Sequence, residues 1–140
     1  MSTQKNILMK GYKSNIEKDT KKNKVFRNVV YTSKNLQLVL MSLKPGEEIG
    51  AEVHSDTDQF FRVDSGTGKC VIDRHVYILK DGDAIIIPAR AKHNVINTHK
   101  TKALKLYTLY APPHHKDGTI HRTKEIAENS DEEFDGITTE

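Results

Sequence analysis

Short apolar or alternating segments recur along most of this chain, and turn-forming residues separate many of them. Lys44-Pro45-Gly46-Glu47, for example, suits a type II turn, with Pro at its second position and Gly at its third. Nine segments follow the pattern, at residues 25–31, 36–43, 49–54, 59–64, 69–73, 75–79, 84–88, 93–97 and 104–110. Around nine short strands at this spacing predict an all-β barrel or sandwich.

Charged sequence flanks the strand region on both sides. Residues 1–24 are predicted to form a basic N-terminal arm, and residues 25–121 are predicted to form the barrel. Residues 122–140 are expected to contain a short helix at 123–128 and an acidic tail. We expect this tail to be disordered from Asn129 onward, because it is rich in acids and poor in apolar residues.

The distribution of charge is more informative than the net charge of +3. Eight Lys or Arg and two acids lie between residues 1 and 27, whereas one Lys and seven acids lie between residues 123 and 140. A basic arm can bind nucleic acid, but no helix-turn-helix pattern or aromatic and basic repeat accompanies this one. We therefore interpret both ends as solvated segments and do not predict nucleic-acid binding.

Length and composition restrict the class of protein. A chain of 140 residues suits one domain with a single core. No apolar run approaches the roughly 20 residues that cross a bilayer, and no apolar segment follows the basic N-terminus as it would in a secretion signal. The single cysteine, Cys70, excludes an intrachain disulfide and suits a buried strand thiol in a reducing compartment. These features predict a soluble cytoplasmic protein without membrane contact.

Four polar residues have the side chains and the spacing of a metal site. Glu52 and His54 are two residues apart in a predicted strand, so their side chains share one face. Gln59 follows a polar turn at residues 55–58, and His93 opens a later strand. Ligands from such separate segments can meet inside a closed or nearly closed barrel. The alternative is that Glu52, His54 and Gln59 are ordinary polar residues on a solvated sheet face.

The predicted ligands combine two imidazoles with one carboxylate. This set is associated with non-haem Fe(II), and Mn, Co, Ni and Zn are also compatible with it. Gln59 adds a neutral amide oxygen, which either binds the metal directly or holds a metal-bound water. The sequence therefore predicts one divalent metal cation as cofactor and leaves its identity open among Fe, Mn, Ni, Co and Zn.

The same residues fall within two stretches that resemble the paired motifs of the cupin family. In that family the first motif reads Gly, His-x-His, Glu, Gly and the second Gly, Pro-x-Gly, His, Asn, with three His and the Glu binding one divalent metal. The matching residues here are Gly46, Glu52, His54, Gln59 and Gly66, then Gly82, Pro88, Arg90, His93 and Asn97. Glu52 takes a His position, Gln59 takes the Glu position, and Arg90 replaces a Gly. One carboxylate is retained, so affinity for a divalent ion should be retained too.

The resemblance covers about residues 11–128 and is greatest to short, mannose-6-phosphate-isomerase-like cupins. It implies a jelly-roll barrel, also called a double-stranded β-helix. Family members include dioxygenases and sugar-phosphate isomerases and epimerases, so the leading hypothesis is a metal-dependent enzyme acting on a small polar substrate. The alternative is a non-catalytic module whose metal helps to bind a sugar or a carboxylate. A third, weaker hypothesis is a basic-armed interaction protein with a vestigial barrel.

Strand alternation selects the residues that should surround the metal. If Gln59 points inward, Phe61 and Val63 point inward as well and form an apolar pocket wall. The register of the last strand decides whether Tyr107 or Tyr110 reaches the cavity. We take Tyr107 as the pocket residue.

Phe60 should then point outward and create an exposed apolar patch, which needs a partner to cover it. Cupins often form dimers through a sheet face, so the resemblance implies a homodimer here.

A histidine-rich segment follows the last predicted strand, with His114, His115 and His121 after two prolines. Its Pro-Pro and Asp-Gly pairs indicate a loop without the rigid spacing of a preformed metal site. We interpret His114, His115 and Asp117 as structural or rim residues. In the small cupins that the chain resembles, a similar segment packs along the barrel.

Overall fold

The computed structural model describes residues 8–140, in which strands predominate over two short helices. In chain order the elements are α1 (Ile16–Lys22), β1 (Arg27–Thr32), β2 (Gln37–Leu43), β3 (Asp58–Ser65), β4 (Thr67–Ile72), β5 (His75–Lys80), β6 (Ala84–Ile87), β7 (His93–Asn97), β8 (Leu104–Ala111), β9 (Ile120–His121) and α2 (Lys124–Glu128). The first seven residues of the predicted basic arm lie outside the described residues.

Two antiparallel sheets form the barrel. The larger has the strand order β6-β3-β8-β2-β1-β9, and the smaller has the order β5-β4-β7. Their inward side chains share one core, in which Val39, Met41 and Leu106 of the larger sheet cluster with Cys70 and Val95 of the smaller one. Burial of this apolar surface is the main source of stability, at roughly 25 cal/mol per Å². The predicted all-β jelly-roll fold is confirmed.

Alternating burial along β3 and β8 decides which side chains face the interior. In β3, Gln59, Phe61 and Val63 are buried and the residues between them are half-buried, which agrees with the predicted alternation. In β8, the buried positions include Thr108 and Tyr110. Phe61 and Val63 belong to the apolar core.

The choice of Tyr107 as the pocket residue is wrong. Tyr107 pairs with Arg62 across β3 and β8 and lies on the outer face, with its ring centroid 6.2 Å from that of Phe60. Tyr110 faces the interior instead and is 2% exposed. The period of two within a strand relates residues to one another but does not say which set faces inward.

The segment predicted as a strand at residues 49–54 is irregular and is joined to β7 by one isolated bridge, which pairs Glu52 with His93. Gly50 has a φ of 114°, which Gly adopts far more readily than other residues. Its N–H donates to the Asn94 side chain, at 2.9 Å. The stretch still runs antiparallel beside β7, and it places Glu52 opposite His93, the first residue of that strand.

The acidic C-terminal tail lies along the barrel, so the predicted disorder from Asn129 onward is wrong. The Phe134 N–H donates to the His114 carbonyl, at 3.0 Å. Thr139 and Thr32 exchange two hydrogen bonds, each 2.8 Å long. Composition indicated disorder because the tail has few apolar residues, whereas these contacts come from polar groups that meet only in the folded barrel.

Each helix begins at a side chain that caps its first turn. Asn15 caps α1 and Thr123 caps α2, and each accepts a hydrogen bond from a backbone N–H three residues later. The helix predicted at 123–128 is confirmed, and α1 lies within the predicted basic arm. In the described part of the chain, the helices are too short and too polar to cross a bilayer.

Candidate metal centre

Glu52, His54 and His93 lie together at one end of the barrel interior. Each supplies one ligand atom, and these atoms all lie within 4.8 Å of one another. His54 Nε2 is 3.1 Å from Glu52 Oε2, and the two imidazole centroids are 5.2 Å apart. Metal bonds to nitrogen and oxygen are about 2.0–2.2 Å long, so ligand atoms of one ion lie roughly 3–4 Å apart. The three side chains therefore have the spacing of a metal site.

Backbone hydrogen bonds hold these side chains in place. Glu52 and His93 exchange N–H to carbonyl bonds in both directions, each 2.9 Å long. The Arg90 N–H donates to the His54 carbonyl, at 2.7 Å. Arg90 has a φ of 77°, in the left-handed region that favours glycine, and it occupies the position of the motif glycine. The backbone keeps the conformation that the motif requires, although the residue has changed.

The two imidazoles present free nitrogen atoms toward the centre. His93 Nδ1 lies 3.1 Å from the Ala91 carbonyl. Nδ1–H donates a hydrogen bond to that carbonyl, so in the neutral imidazole Nε2 carries no proton. His93 Nε2 and His54 Nε2 are buried and have no hydrogen-bond partner among residues 8–140, since the contact between His54 and Glu52 lacks hydrogen-bond alignment. Buried nitrogen atoms without a hydrogen-bond partner are costly. A cation between them would satisfy both.

Gln59 presents a third unsatisfied acceptor. Its side chain is 2% exposed, and its Nε2 donates to the Thr108 hydroxyl, at 3.0 Å. That bond fixes the amide orientation and leaves Oε1 buried without a partner in the described part of the chain. An amide oxygen is a neutral ligand for a divalent cation. The residues of the centre fit such a cation, because Glu52 accompanies the unpaired nitrogens of His54 and His93, and Gln59 pairs with Tyr110, whose ring contacts His54.

The protonation states of the ligands suit a cation. Burial alone would raise the pKa of Glu52, but the contact with His54 and then the charge of Arg27 outweigh it and lower this pKa below its usual value. Burial and the neighbouring His54 lower the pKa of His93, against the effect of its hydrogen bond to Ala91. At neutral pH the centre thus holds an ionised carboxylate and a neutral His93, the forms that bind metals.

His114 contacts the same centre from the segment after β8. Its ring centroid is 4.3 Å from that of His54, and the Tyr110 ring lies 5.9 Å from His54 and 5.4 Å from His114. Burial, followed by the neighbouring His115 and His54, lowers the pKa of His114 to about 4. Burial raises the pKa of Tyr110 above its usual range. Near pH 7 a neutral imidazole and a protonated phenol therefore adjoin the ligands.

Gln37 positions this histidine segment. Its side chain is fully buried; Nε2 donates to the His115 carbonyl at 2.7 Å and to the Thr32 hydroxyl at 2.9 Å. Its Oε1 accepts from the N–H groups of His114 and His115, at 3.1 and 2.9 Å. One buried amide thus satisfies the backbone of two adjacent histidines.

Hydrogen bonds link Glu132 of the C-terminal tail, through His115, to Tyr110 in the interior. Glu132 Oε1 lies 2.7 Å from His115 Nδ1, and His115 Nε2 lies 3.2 Å from the Tyr110 hydroxyl. The Lys116 N–H donates to Glu132 Oε2, at 2.8 Å. Burial alone would raise the pKa of Glu132, but the hydrogen bonds from His115 and Lys116 lower it to about 2.

Sequence reasoning missed part of this arrangement. His114 and His115 were assigned structural or rim positions, yet His114 adjoins the candidate ligands and His115 is buried beneath it. The paired histidines after two prolines were the available signal. Nothing in the sequence indicated Gln37 or Glu132, because each acts on a segment distant in the chain.

Comparison with known proteins decides the family. The sequence profile of the cupin domain matches residues 39–110. The chain is a cupin. It is 44% identical over 134 residues to the uncharacterized protein YrkC of Bacillus subtilis, a match that covers 86% of this cupin and 70% of YrkC. It is 43% identical over 112 residues to the uncharacterized protein L612 of Acanthamoeba polyphaga mimivirus, covering 78% and 70% of the two chains.

A solved structure agrees with this assignment. The crystal structure of BH2720 from Bacillus halodurans superimposes with a TM-score of 0.84 at 42% identity, and the match covers 86% of this cupin and 96% of BH2720. The match extends well beyond the profile region, so the flanking segments contribute to the shared structure.

Proposed function

We propose that this cupin is a metal-dependent enzyme that acts on a small polar substrate, with Glu52, His54 and His93 as metal ligands and Gln59 as a neutral fourth donor. The observation that carries the proposal is the pair of buried imidazole nitrogens without hydrogen-bond partners among residues 8–140, His54 Nε2 and His93 Nε2, in one cluster with the Glu52 carboxylate. A divalent cation in this position supplies Lewis acidity or a redox centre for oxygen chemistry. Dioxygenase and isomerase or epimerase chemistry both remain compatible with that set.

Two groups beside the ligands favour an enzyme over a binding module. His114 is neutral near pH 7 and can accept a proton, and Tyr110 carries a proton that it can donate in a hydrogen bond. Both rings contact His54. A proton donor and a proton acceptor next to a candidate metal are suited to general acid and base catalysis.

The second candidate function is a non-catalytic module in which the metal helps to bind a sugar or a carboxylate. Its support is the crowding of the interior, where His114 and Tyr110 pack against His54. Grooves of about 520 and 460 Å³ lie elsewhere, and a smaller one of about 300 Å³ reaches His93 but neither Glu52 nor His54.

Nitric oxide binding by the iron-loaded protein tests whether the centre has the open coordination positions that the enzyme requires. Nitric oxide occupies open coordination positions on Fe(II), so an enzyme centre loaded without oxygen should give a paramagnetic nitrosyl signal. His93→Ala should lose this signal, and His75→Ala, a change at an exposed residue, should keep it. If the iron-loaded wild type does not bind nitric oxide, the enzyme proposal is contradicted and the binding module becomes the better interpretation.

We also propose a homodimer that covers the outer apolar face. Val76, Ile78 and Ile86 are between 58% and 75% exposed, and Ile78 and Ile86 line a groove together with Phe60. Exposed apolar patches of this kind mark interaction surfaces. Ile78→Lys should convert a dimer to a monomer in light scattering without loss of metal. A wild type that is monomeric at high concentration would exclude the homodimer.

A further inference from the structure

Arg27 places a positive charge inside the barrel. It alternates with the core residue Val29 on β1, and both are buried while Asn28 between them is half-buried. Its strand partners are Met41 on one side and His121 on the other. The arginine is 7% exposed, although arginine is rarely buried without a charged partner.

The guanidinium lacks an anionic partner. Its Nη1 donates to His121 Nδ1, at 3.1 Å, and its Nε is buried with no hydrogen-bond partner within residues 8–140. Burial and the adjacent Arg27 lower the pKa of His121, which keeps that imidazole neutral. No described carboxylate oxygen lies within 4.0 Å of the guanidinium. The Phe26 ring lies 5.3 Å from Cζ, in cation–π range. Because arginine does not lose its proton in proteins, the charge stays buried without an anion to pair with it.

The charge of Arg27 acts on the same interior as the candidate metal centre. Its β1 neighbour Val29 and its strand partner Met41 both belong to the core that the two sheets share. The charge also helps to lower the pKa of Glu132, after burial, which opposes the shift, and the hydrogen bonds to that carboxyl.

We propose that Arg27 is an anion-binding residue that receives the carboxylate group of a small molecule in the barrel interior. The planar guanidinium fork matches a carboxylate in a bidentate pair. A single carboxylate brings one negative charge to one guanidinium, whereas a phosphate brings nearly two charges into an interior that already holds Glu52 and Glu132. The part of the inference that concerns the substrate class rests on the proposed function; the anion site itself does not require metal.

Thermal unfolding of chelator-treated protein with sodium glycolate tests the site without a metal. A ligand that binds only the folded state raises the melting temperature as its concentration increases. We expect glycolate, compared with sodium chloride at equal ionic strength, to stabilise the wild type. Arg27→Met should weaken glycolate binding by about thirtyfold or more, since one partner of a buried charge pair is lost. Arg62→Met, the same change on the outer face, should leave it unaltered.

Several outcomes overturn the assignment. Equal stabilisation of the wild type and Arg27→Met by glycolate would exclude Arg27 as the binding residue, and so would a wild type that glycolate does not stabilise. Tighter binding of inorganic phosphate than of glycolate would overturn the carboxylate class. If Arg27→Met does not fold, the Arg27 Nε–Hε signal in the NMR spectrum of the wild type decides, because glycolate must shift it. A wild type that binds glycolate but does not bind a divalent metal would contradict the proposed function and leave the anion site intact.

Discussion

Glu52 and His93 face each other as a hydrogen-bonded pair, with the N–H of each donating to the carbonyl of the other at 2.9 Å. Residues paired in this way have Cα atoms about 5.5 Å apart in antiparallel sheets. The pair joins an irregular stretch to the first residue of β7. The charged candidate ligand is therefore fixed most directly by His93, and not only by its sequence neighbour His54.

Replacement of Arg90 should reveal the strain at the motif glycine position. A residue with a Cβ costs about 1–2 kcal/mol in the left-handed region, and the greater freedom of glycine in the unfolded chain offsets about 0.5–1 kcal/mol of any gain. We expect Arg90→Gly to be more stable than Arg90→Ala by up to about 1 kcal/mol in urea unfolding. Ala is the matched control, because it removes the same side chain and keeps the Cβ. A less stable glycine variant would contradict the strain at φ 77°.

The strand pattern and the motif spacing predicted most of the fold and the core of the candidate site. Gln59, Phe61 and Val63 are buried on one face of β3 because alternation is a local property of an extended chain. The clustering of Glu52, His54 and His93 could be predicted because their spacing matches the motifs of a family with this barrel.

The remaining features depend on contacts between distant segments. Tyr110 and not Tyr107 faces the interior, because the pairing of β8 with β2 and β3 sets its faces. His114 reaches the centre because Gln37, on another strand, binds its backbone. Glu132 holds the tail to His115 through one carboxylate, and composition alone does not report such a pair. Local patterns contain none of this information.

Gln59→Glu should lower the stability of the metal-free protein and raise its affinity for a divalent metal. In the metal-free protein the new carboxylate is buried and cannot donate to Thr108, so unfolding should become easier by about 1–3 kcal/mol. With a divalent ion present, the added charge should tighten binding by about tenfold, equivalent to 1.4 kcal/mol. Melting curves with chelator and with Zn²⁺ measure both effects. Unchanged metal affinity would contradict the placement of Gln59 at the metal.

The acid stability of the protein should depend on Glu132. Its pKa is about 2 in the folded protein, whereas the ordinary pKa of a glutamate carboxyl is 4.5. Since the folded state binds this proton less readily, the carboxylate stabilises the fold above about pH 4.5, and the contribution is lost as the pH falls toward 2. Urea midpoints for the wild type should therefore fall over this range, and the midpoints for Glu132→Gln should fall less. Parallel profiles for the two proteins would contradict the His115 pairing.

Metal content after loading tests the central claim most directly. Wild type, His54→Ala, His93→Ala and the surface control His75→Ala would be incubated with excess divalent metal, desalted and analysed by inductively coupled plasma mass spectrometry. His54 and His93 are buried ligands of the candidate centre, whereas His75 is exposed. The account predicts one metal per chain in the wild type and in His75→Ala, and loss of stoichiometric metal in the other two variants. Undiminished metal content in both His54→Ala and His93→Ala would contradict it.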